Sequence, residues 1–131
     1  MKTLIVEDDL TSRLLLQTLL SSYGECHVAV NGKEAIDAFR WATDGGRKYD
    51  LICMDIMMPE MDGQTALKEI RALEETAGIP PHTGVKIIMT TAVCDTKAVF
   101  AAYEELCDGY LFKPLDTAKL IQYLKSFGLT P

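Results

Sequence analysis

Apolar residues in this chain follow two alternating spacings: short, nearly continuous runs, and longer stretches with a helical repeat. The short runs are rich in β-branched residues and predict strands, whereas the longer amphipathic stretches predict helices. The predicted strands cover residues 2–6, 26–30, 49–54, 85–90 and 109–112. The third run is almost entirely apolar, which is typical of a central strand covered on both faces.

Five helices are predicted, one after each strand. The first begins at Leu10, the second at an Asn31 cap, the third after a loop at 59–63, and the fourth at an Asp95 cap, while Gly128 closes the last. Their apolar positions are Leu10, Leu14, Leu15, Leu19 and Leu20; Ala35, Ile36, Ala38 and Phe39; Ala66, Leu67, Ile70 and Leu73; Val99, Phe100, Tyr103 and Leu106; and Leu120, Ile121 and Leu124.

Strands that alternate with helices run parallel, because each helical crossover returns the chain to the same end of the sheet. The fold class predicted is therefore α/β, a doubly wound five-stranded parallel sheet flanked by five helices. We expect residues 1–131 to form a single domain without an attached output domain. Ligands of such sheets bind at the carboxyl ends of the strands.

Polar side chains follow four of the predicted strands, and these strand ends share one edge of the sheet. The residues concerned are Glu7-Asp8-Asp9, Asp55, Thr90-Thr91 and Lys113-Pro114. Carboxylates that lie close together repel each other unless a proton or a cation neutralises them. Oxygen ligands without imidazole or thiolate suit a hard cation, so the edge is predicted to bind Mg²⁺ together with a phosphate.

Each of these residues also has an ordinary structural interpretation. The three acids after the first strand could cap a helix, Thr91 could be a β-branched strand residue, and Lys113 could be a solvated surface amine. Asp55 is less ordinary, since an unpaired charge at the end of a buried strand is costly. The occurrence of acid, acid, hydroxyl and cation on four separate strand ends favours a site.

Composition excludes several other classes of protein. Lys and Arg number 13 against 19 Asp and Glu, a net charge of −6 that disfavours nucleic acid and anionic membranes as partners. No apolar run approaches the roughly 20 residues of a membrane span, so we expect no membrane insertion and a cytoplasmic location. The four cysteines form no C-x-x-C pair, which argues against a zinc or redox site.

Four segments resemble the signature blocks of the receiver domains of two-component response regulators, of which CheY is the single-domain type. They are Ile5-Val-Glu-Asp8, Met54-Asp-Ile-Met-Met-Pro-Glu-Met-Asp-Gly63, Met89-Thr-Thr-Ala92 and Tyr110-Leu-Phe-Lys-Pro114. The resemblance covers essentially the whole chain, in the family's order. It implies a flavodoxin-like sheet with strand order 2-1-3-4-5 and a phosphorelay role, of which chemotaxis is one example.

The resemblance implies a phosphoacceptor and a metal site. Asp55 would take a phosphoryl group from a phosphohistidine and become 4-aspartylphosphate. Mg²⁺, or Mn²⁺ in its place, would be held by Asp8, Asp55 and the main-chain carbonyl of Met57, with Glu7 acting through a bound water. Asp9 is then left as a helix cap.

The resemblance also implies a switch. Lys113, preceding a cis proline, would contact the phosphoryl oxygens, and Thr91 would donate its hydroxyl to them. Thr91 would move toward the phosphate and Tyr110 would rotate inward, changing the surface of the fourth helix, fifth strand and fifth helix, roughly residues 95 to 127. The partners would be a sensor histidine kinase or a histidine phosphotransfer protein, and a downstream protein.

The predicted function is a phospho-accepting signalling switch that assists its own phosphorylation and dephosphorylation, rather than an enzyme. A relay shuttle to a histidine phosphotransfer protein and an interaction-only receiver remain alternatives. An aspartyl phosphatase would need a second acid at Met57, and a dinucleotide enzyme would need G-x-G-x-x-G. Met57 and Val93 lie at positions that vary in the family and are apolar here, which predicts slow autodephosphorylation.

Overall fold

The computed structural model describes residues 1–58, 60–91 and 106–130. Five strands in this part of the chain form one sheet: β1 (Lys2–Val6), β2 (Glu25–Ala29), β3 (Leu51–Asp55), β4 (Lys86–Thr91) and β5 (Gly109–Phe112). All four pairings are parallel, and the order is β2-β1-β3-β4-β5. The doubly wound sheet and the strand order implied by the resemblance are confirmed.

Four α-helices accompany the sheet within the described residues: α1 (Leu10–Leu20), α2 (Gly32–Asp44), α3 (Gly63–Thr76) and a C-terminal helix (Thr117–Ser126). A short 3₁₀ turn, Ser21–Tyr23, follows α1. Five helices were predicted, and the helix predicted to begin at Asp95 falls on residues 92–105, outside the described part of the chain.

Short polar residues start these four helices. Asp9, Asn31, Asp62 and Asp116 each accept a hydrogen bond from the backbone N–H three residues later, at 2.8 to 3.2 Å. Such a bond satisfies a donor that has no partner inside the helix. The caps predicted at Asp9 and Asn31 are confirmed, and the Asp9 cap leaves Glu7 and Asp8 as the adjacent acid pair.

Two strands, β3 and β4, end one residue later than the apolar runs predict. β3 reaches Asp55 and β4 reaches Thr91, so both residues belong to the sheet. The reason is strand pairing, since Asp55 pairs with Thr90 of β4 and Thr91 pairs with Phe112 of β5. Main-chain pairing therefore fixes the two candidate site residues more rigidly than a loop would.

The sheet buries a separate apolar cluster on each face, one against α2 and α3 and the other against α1 and the C-terminal helix. In α1 the buried leucines are Leu16 and Leu20, whereas Leu10 and Leu14 are 58% and 52% exposed. Leu15 is 41% exposed as well, so the apolar positions that predicted the first helix do not all meet the sheet. At about 100° per residue, Leu14 lies about 160° around the helix from Leu16, and the two cannot share one face.

A buried ionic network closes the amino edge of the sheet, opposite the candidate site. The Arg71 guanidinium of α3 donates to Glu74 Oε1 at 2.7 Å and to Asp108 Oδ2 at 2.9 Å. It also donates to the carbonyls of Val85 and Leu106, at 2.8 and 2.7 Å. One side chain thus joins α3 to the starts of β4 and β5.

We expect Arg71→Gln to lower the free energy of unfolding by about 3–5 kcal/mol, because the change leaves the buried Glu74 carboxylate without its cation and leaves Asp108 paired only with Lys86, 3.8 Å away. Urea denaturation measures the effect. Arg40→Gln, at an exposed position of α2, is the matched control and is expected to change stability by less than about 0.5 kcal/mol. Equal stability of the two variants would contradict a structural role for the network.

Candidate functional site

Two buried carboxylates lie at the carboxyl edge of the sheet. Asp55 ends β3 with a side chain that is 6% exposed, and Glu7, directly after β1, has a side chain that is 1% exposed. Asp8 is exposed beside them. One carboxylate oxygen from each of the three residues lies within 4.8 Å of the other two. The structure therefore brings together the three acids that the sequence singled out.

Lys113 supplies the positive charge between the two buried acids. Its Nζ lies 3.3 Å from Asp55 Oδ2 and forms an ion pair with Glu7 Oε1. The sheet order places β3 and β4 between β1 and β5, so this long side chain extends along the edge to reach Glu7. The Lys113 backbone N–H donates to the Thr91 carbonyl at 2.7 Å, and the Lys113–Pro114 bond is cis, as the resemblance implied.

Burial and mutual charge change the acidity of these groups. Burial, with Asp55 as a neighbour, raises the pKa of Glu7 from 4.5 to about 7, against the opposing effect of Lys113. For Lys113, partial burial acts to lower the pKa, but the contacts with Glu7 and Asp55 outweigh it and raise the pKa. Ionised carboxylates in this pocket therefore raise the free energy of the folded protein, and a bound cation would lower it.

The chain after Asp55 folds back tightly against the end of β3. A Cβ atom at Gly63 would lie 2.1 Å from the Asp55 carbonyl oxygen, so only glycine fits there. The Gly63 N–H donates to the Ile56 carbonyl at 2.9 Å, and the preceding Asp62 caps α3. The Asp-Gly pair that ends the second sequence block therefore closes the loop that carries Met57 directly after Asp55.

Met57 and Thr91 border this pocket in different ways. The Met57 N–H donates to Asp55 Oδ1 at 3.3 Å, and the residue is 64% exposed. Thr91 is fully buried at the end of β4. Tyr110 is half-buried on β5. Val93, the other position expected to influence dephosphorylation, lies outside the described residues.

The residues present fit a hard divalent cation. Apart from the ion pair with Lys113, neither carboxylate oxygen of Glu7 accepts a hydrogen bond within the described part of the chain. A buried carboxylate oxygen that accepts no hydrogen bond from the protein favours a cation or an ordered water as its partner. With Asp8 and Asp55 alongside, the donor set consists of oxygen atoms alone, which is the set that Mg²⁺ prefers.

Sequence reasoning missed the ion pair between Glu7 and Lys113. It assigned Glu7 to a water on the metal and Lys113 to phosphoryl oxygens, without any contact between the two residues. No local signal could have revealed the pair, because they are far apart in sequence and on strands that do not touch. The only clue is shared location, since both residues follow a strand at the same edge.

Comparison with known proteins identifies the family. Residues 3–125 match the response regulator receiver domain, and the chain belongs to this family. It is 32% identical over 114 residues to the transcriptional regulatory protein ZraR of Escherichia coli, which covers 86% of this chain and 23% of ZraR. It is 30% identical over 128 residues to the osmosensing histidine protein kinase SLN1 of Saccharomyces cerevisiae, covering 96% of this chain and 10% of SLN1.

Solved structures give the same assignment. The receiver domain of the Saccharomyces cerevisiae response regulator Ssk1, crystallised with the histidine phosphotransfer protein Ypd1, superposes with a TM-score of 0.80 at 29% identity, covering 98% of this chain and 88% of that one. A CheY-like receiver domain from Methylobacillus flagellatus has a TM-score of 0.74 at 28% identity, covering 96% and 97%. No helix among the described residues is long and apolar enough to cross a membrane.

The raised pKa of Glu7 predicts a pH-dependent stability in the absence of divalent cations. Between pH 4.5 and 7 the unfolded chain ionises Glu7 while the folded protein keeps it protonated, so the folded state loses stability over this window. Glu7→Gln removes this loss. Its stability relative to the wild type should therefore rise by roughly 1–3 kcal/mol from pH 4.5 to pH 7.

Urea unfolding in EDTA-containing buffer at several pH values measures this difference. Glu69→Gln, at an exposed position of α3, serves as the control and should follow the wild type at every pH. A Glu7→Gln curve parallel to that of the wild type would contradict the assigned pKa shift.

Proposed function

We propose that this chain receives a phosphoryl group from a phosphohistidine onto Asp55. The observation that carries the proposal is the carboxylate of Asp55, buried at the end of the central strand with Lys113 at 3.3 Å and a second acid beside it. In the reaction a carboxylate oxygen attacks phosphorus, the P–N bond breaks, and the imidazole leaves with its electron pair. The product is an acyl phosphate on Asp55.

Magnesium is the cofactor proposed for this step, and Mn²⁺ could replace it. Asp8, Asp55 and the main-chain carbonyl of Met57 would hold the ion directly, with Glu7 acting through a water. When bound, the ion would offset the repulsion between an anionic nucleophile and an anionic phosphoryl group. Family membership and the three neighbouring acids support this assignment.

Lys113 and Thr91 are the proposed ligands of the transferred group. In the described state the Lys113 ammonium contacts both buried carboxylates, so it already lies where oxygens of a phosphoryl group on Asp55 would arrive. Thr91 is held beside it, because its carbonyl accepts the Lys113 N–H. Its hydroxyl would donate to a further phosphoryl oxygen.

The output would follow from the same contacts. A phosphoryl group on Asp55 would draw Thr91 toward it, and Tyr110 would turn inward into the vacated space. The altered surface, within residues 95–127, would then bind a downstream protein. Such a switch needs a group that interacts differently with the two packing states, and the new charge-assisted hydrogen bonds meet this requirement.

The proposed phosphoryl donor is a sensor histidine kinase or a histidine phosphotransfer protein, and the proposed place of the transfer is the cytoplasm. Leu10 and Leu14 present an exposed apolar surface on α1, the helix that starts directly after the acid pair. An exposed apolar patch on the helix that follows the acid pair favours a protein donor over a small molecule. The neighbouring structure with Ypd1 is consistent with such a partner.

A relay shuttle is the second candidate, supported by the similarity to a segment of the osmosensing histidine protein kinase SLN1, since a receiver that accompanies a kinase can pass its phosphoryl group onward. Transfer of label from the phosphorylated chain to the histidine of Ypd1 would support a shuttle. Retention of the label in the presence of Ypd1 would favour a terminal output role. An interaction-only receiver is disfavoured, because every acceptor, metal and lysine position is filled.

Phosphorylation can be tested directly. Acetyl phosphate with Mg²⁺ should add one phosphoryl group to the wild type and none to Asp55→Asn, because the amide is not a nucleophile. Intact-mass spectrometry measures the adduct, and Asp37→Asn, at an exposed position of α2, should be modified like the wild type. Absence of an adduct on the wild type, or its persistence on Asp55→Asn, would overturn the proposal.

The lifetime of the phosphorylated state is predicted to be long, because neither Met57 nor Val93 can hydrogen-bond an attacking water. Introducing polar groups by Met57→Asn with Val93→Glu should shorten the lifetime roughly tenfold or more, in line with the effect of positioning a reacting group. Loss of the adduct over time, followed by mass spectrometry after removal of acetyl phosphate, measures it. An unchanged lifetime would refute this explanation.

A further inference from the structure

A cavity of about 420 Å³ lies at the amino edge of the sheet, at the opposite end of the strands from Asp55. Part of its lining is apolar and comes from Pro80, Pro81 and Leu106. The other part is charged and includes the Arg71 network together with Glu75. Sites for small molecules have volumes of about 300–1,000 Å³ and combine apolar walls with a few polar groups. The cavity has the size and the lining of such a site.

The connection between α3 and β4 supplies much of this lining. It comprises residues 77–85 and is longer than the roughly 2–6 residues that usually join a helix to a strand in α/β folds. The carbonyl of Pro80 accepts the Thr83 N–H at 3.2 Å and the Thr83 hydroxyl at 2.7 Å, which closes a turn. The Ile79 N–H donates to the Glu74 carbonyl at 3.0 Å. Hydrogen bonds therefore give the connection a defined shape beside the cavity.

Glu74 is the buried carboxylate of the lining, with the residue only 6% exposed. A Cβ atom on Gly84 would overlap this carboxylate, so glycine alone fits beside it. Glu74 Oε1 accepts a hydrogen bond from Arg71 at 2.7 Å, and Oε2 accepts one from the Val85 N–H at 2.8 Å. A carboxylate has about four acceptor positions. Glu74 therefore retains acceptor positions that the described residues do not use.

The hydrogen-bond donors of the lining are, by contrast, almost fully used. The Arg71 guanidinium makes four hydrogen bonds, two to carboxylates and two to backbone carbonyls, out of about five that it can donate. Lys86 lies 3.8 Å from Asp108, so with His82 neutral the three carboxylates of the lining face two cations. Glu75, which is exposed, carries the remaining negative charge. A ligand therefore meets free acceptors and a negative charge.

We propose that this cavity binds a small organic cation, in which an ammonium or amidinium group is joined to a compact apolar body. The charged group would donate hydrogen bonds to Glu74 and pair with Glu75, and the apolar body would pack against Pro80, Pro81 and Leu106. An anionic ligand would find few free donors and would be repelled by Glu75. The site is separate from the phosphoacceptor edge, so the inference does not rest on the proposed phosphoryl transfer.

Three compounds of similar size test the preference for charge: benzylammonium, benzyl alcohol and benzoate. Amide correlation NMR spectra of the full chain locate the binding. Benzylammonium should shift the amides of Gly84, Val85 and Asp108 and saturate with a dissociation constant on the order of millimolar, as expected for so few atoms. Benzyl alcohol should bind about fivefold more weakly, and benzoate more weakly still. Equal binding of the alcohol, or no saturable shift with benzylammonium, would overturn the proposal.

Glu75→Gln and Glu75→Lys remove and reverse the charge at an exposed position of α3, where a change of side chain has little effect on folding. The affinity for benzylammonium should fall roughly two- to fivefold in Glu75→Gln and further in Glu75→Lys. Glu69→Gln and Glu69→Lys, at an exposed position of the same helix outside the lining, are the matched controls and should bind like the wild type. Equal losses in both pairs of variants would show a general charge effect and would overturn the site.

A lysine side chain of another protein carries the same ammonium group, so a lysine with blocked backbone ends, Nα-acetyl-lysine methylamide, is titrated as a fourth compound. Weaker binding of this compound than of benzylammonium would support a free small cation as the ligand. Equal or tighter binding would assign the cavity to a protein side chain and would overturn the proposal. None of these titrations requires Mg²⁺ or a phosphoryl group, so their outcome is independent of the test of Asp55 phosphorylation.

Discussion

The pairing of two buried carboxylates with a single lysine is the constraint on which the rest of the site depends. Glu7 and Asp55 are both almost fully buried, and Lys113 is the cation that contacts them among the described residues. Two carboxylates and one ammonium leave a net negative charge in a site with little solvent, and this charge raises the free energy of the folded state. The raised pKa of Glu7 expresses that cost, and a divalent cation would remove it. The pocket is therefore built to gain positive charge.

The surrounding backbone maintains this unfavourable arrangement. Asp55 and Thr91 are the last residues of paired strands, and the Lys113 N–H is bonded to the Thr91 carbonyl. Gly63 closes the loop after Asp55 against the end of its own strand. At the opposite edge, the Arg71 network joins the starts of β4 and β5 without involving the pocket. The starts of these strands are thus fixed by contacts that do not depend on the charge in the pocket.

The edge strand β5 is held through both its main chain and its side chains. Main-chain bonds hold β5 to β4 on one side and to Tyr123 on the other, whereas the Tyr110 ring contacts Phe112 and Lys119. The main chain of β5 is therefore held on both sides by hydrogen bonds.

The sequence by itself determined the features that depend on neighbouring residues. Apolar spacing placed all five strands, the Asn31 and Asp9 caps follow from local hydrogen bonding, and the parallel arrangement brought Asp55 and Lys113 to one edge. The strand order came from the resemblance to a family rather than from periodicity. Helical spacing predicted the first helix but not which of its apolar residues meet the sheet, and Leu10, Leu14 and Leu15 are exposed.

Only the tertiary structure decided the contacts between residues distant in sequence. The ion pair of Glu7 with Lys113 joins the ends of strands that are not neighbours, and Lys119 meets Tyr110 because a helix returns beside the edge strand. Burial, pKa and charge balance follow from such contacts. Local sequence encodes backbone preference and hydrophobic face, whereas the energy of a charge depends on every group that folding brings within a few ångströms of it.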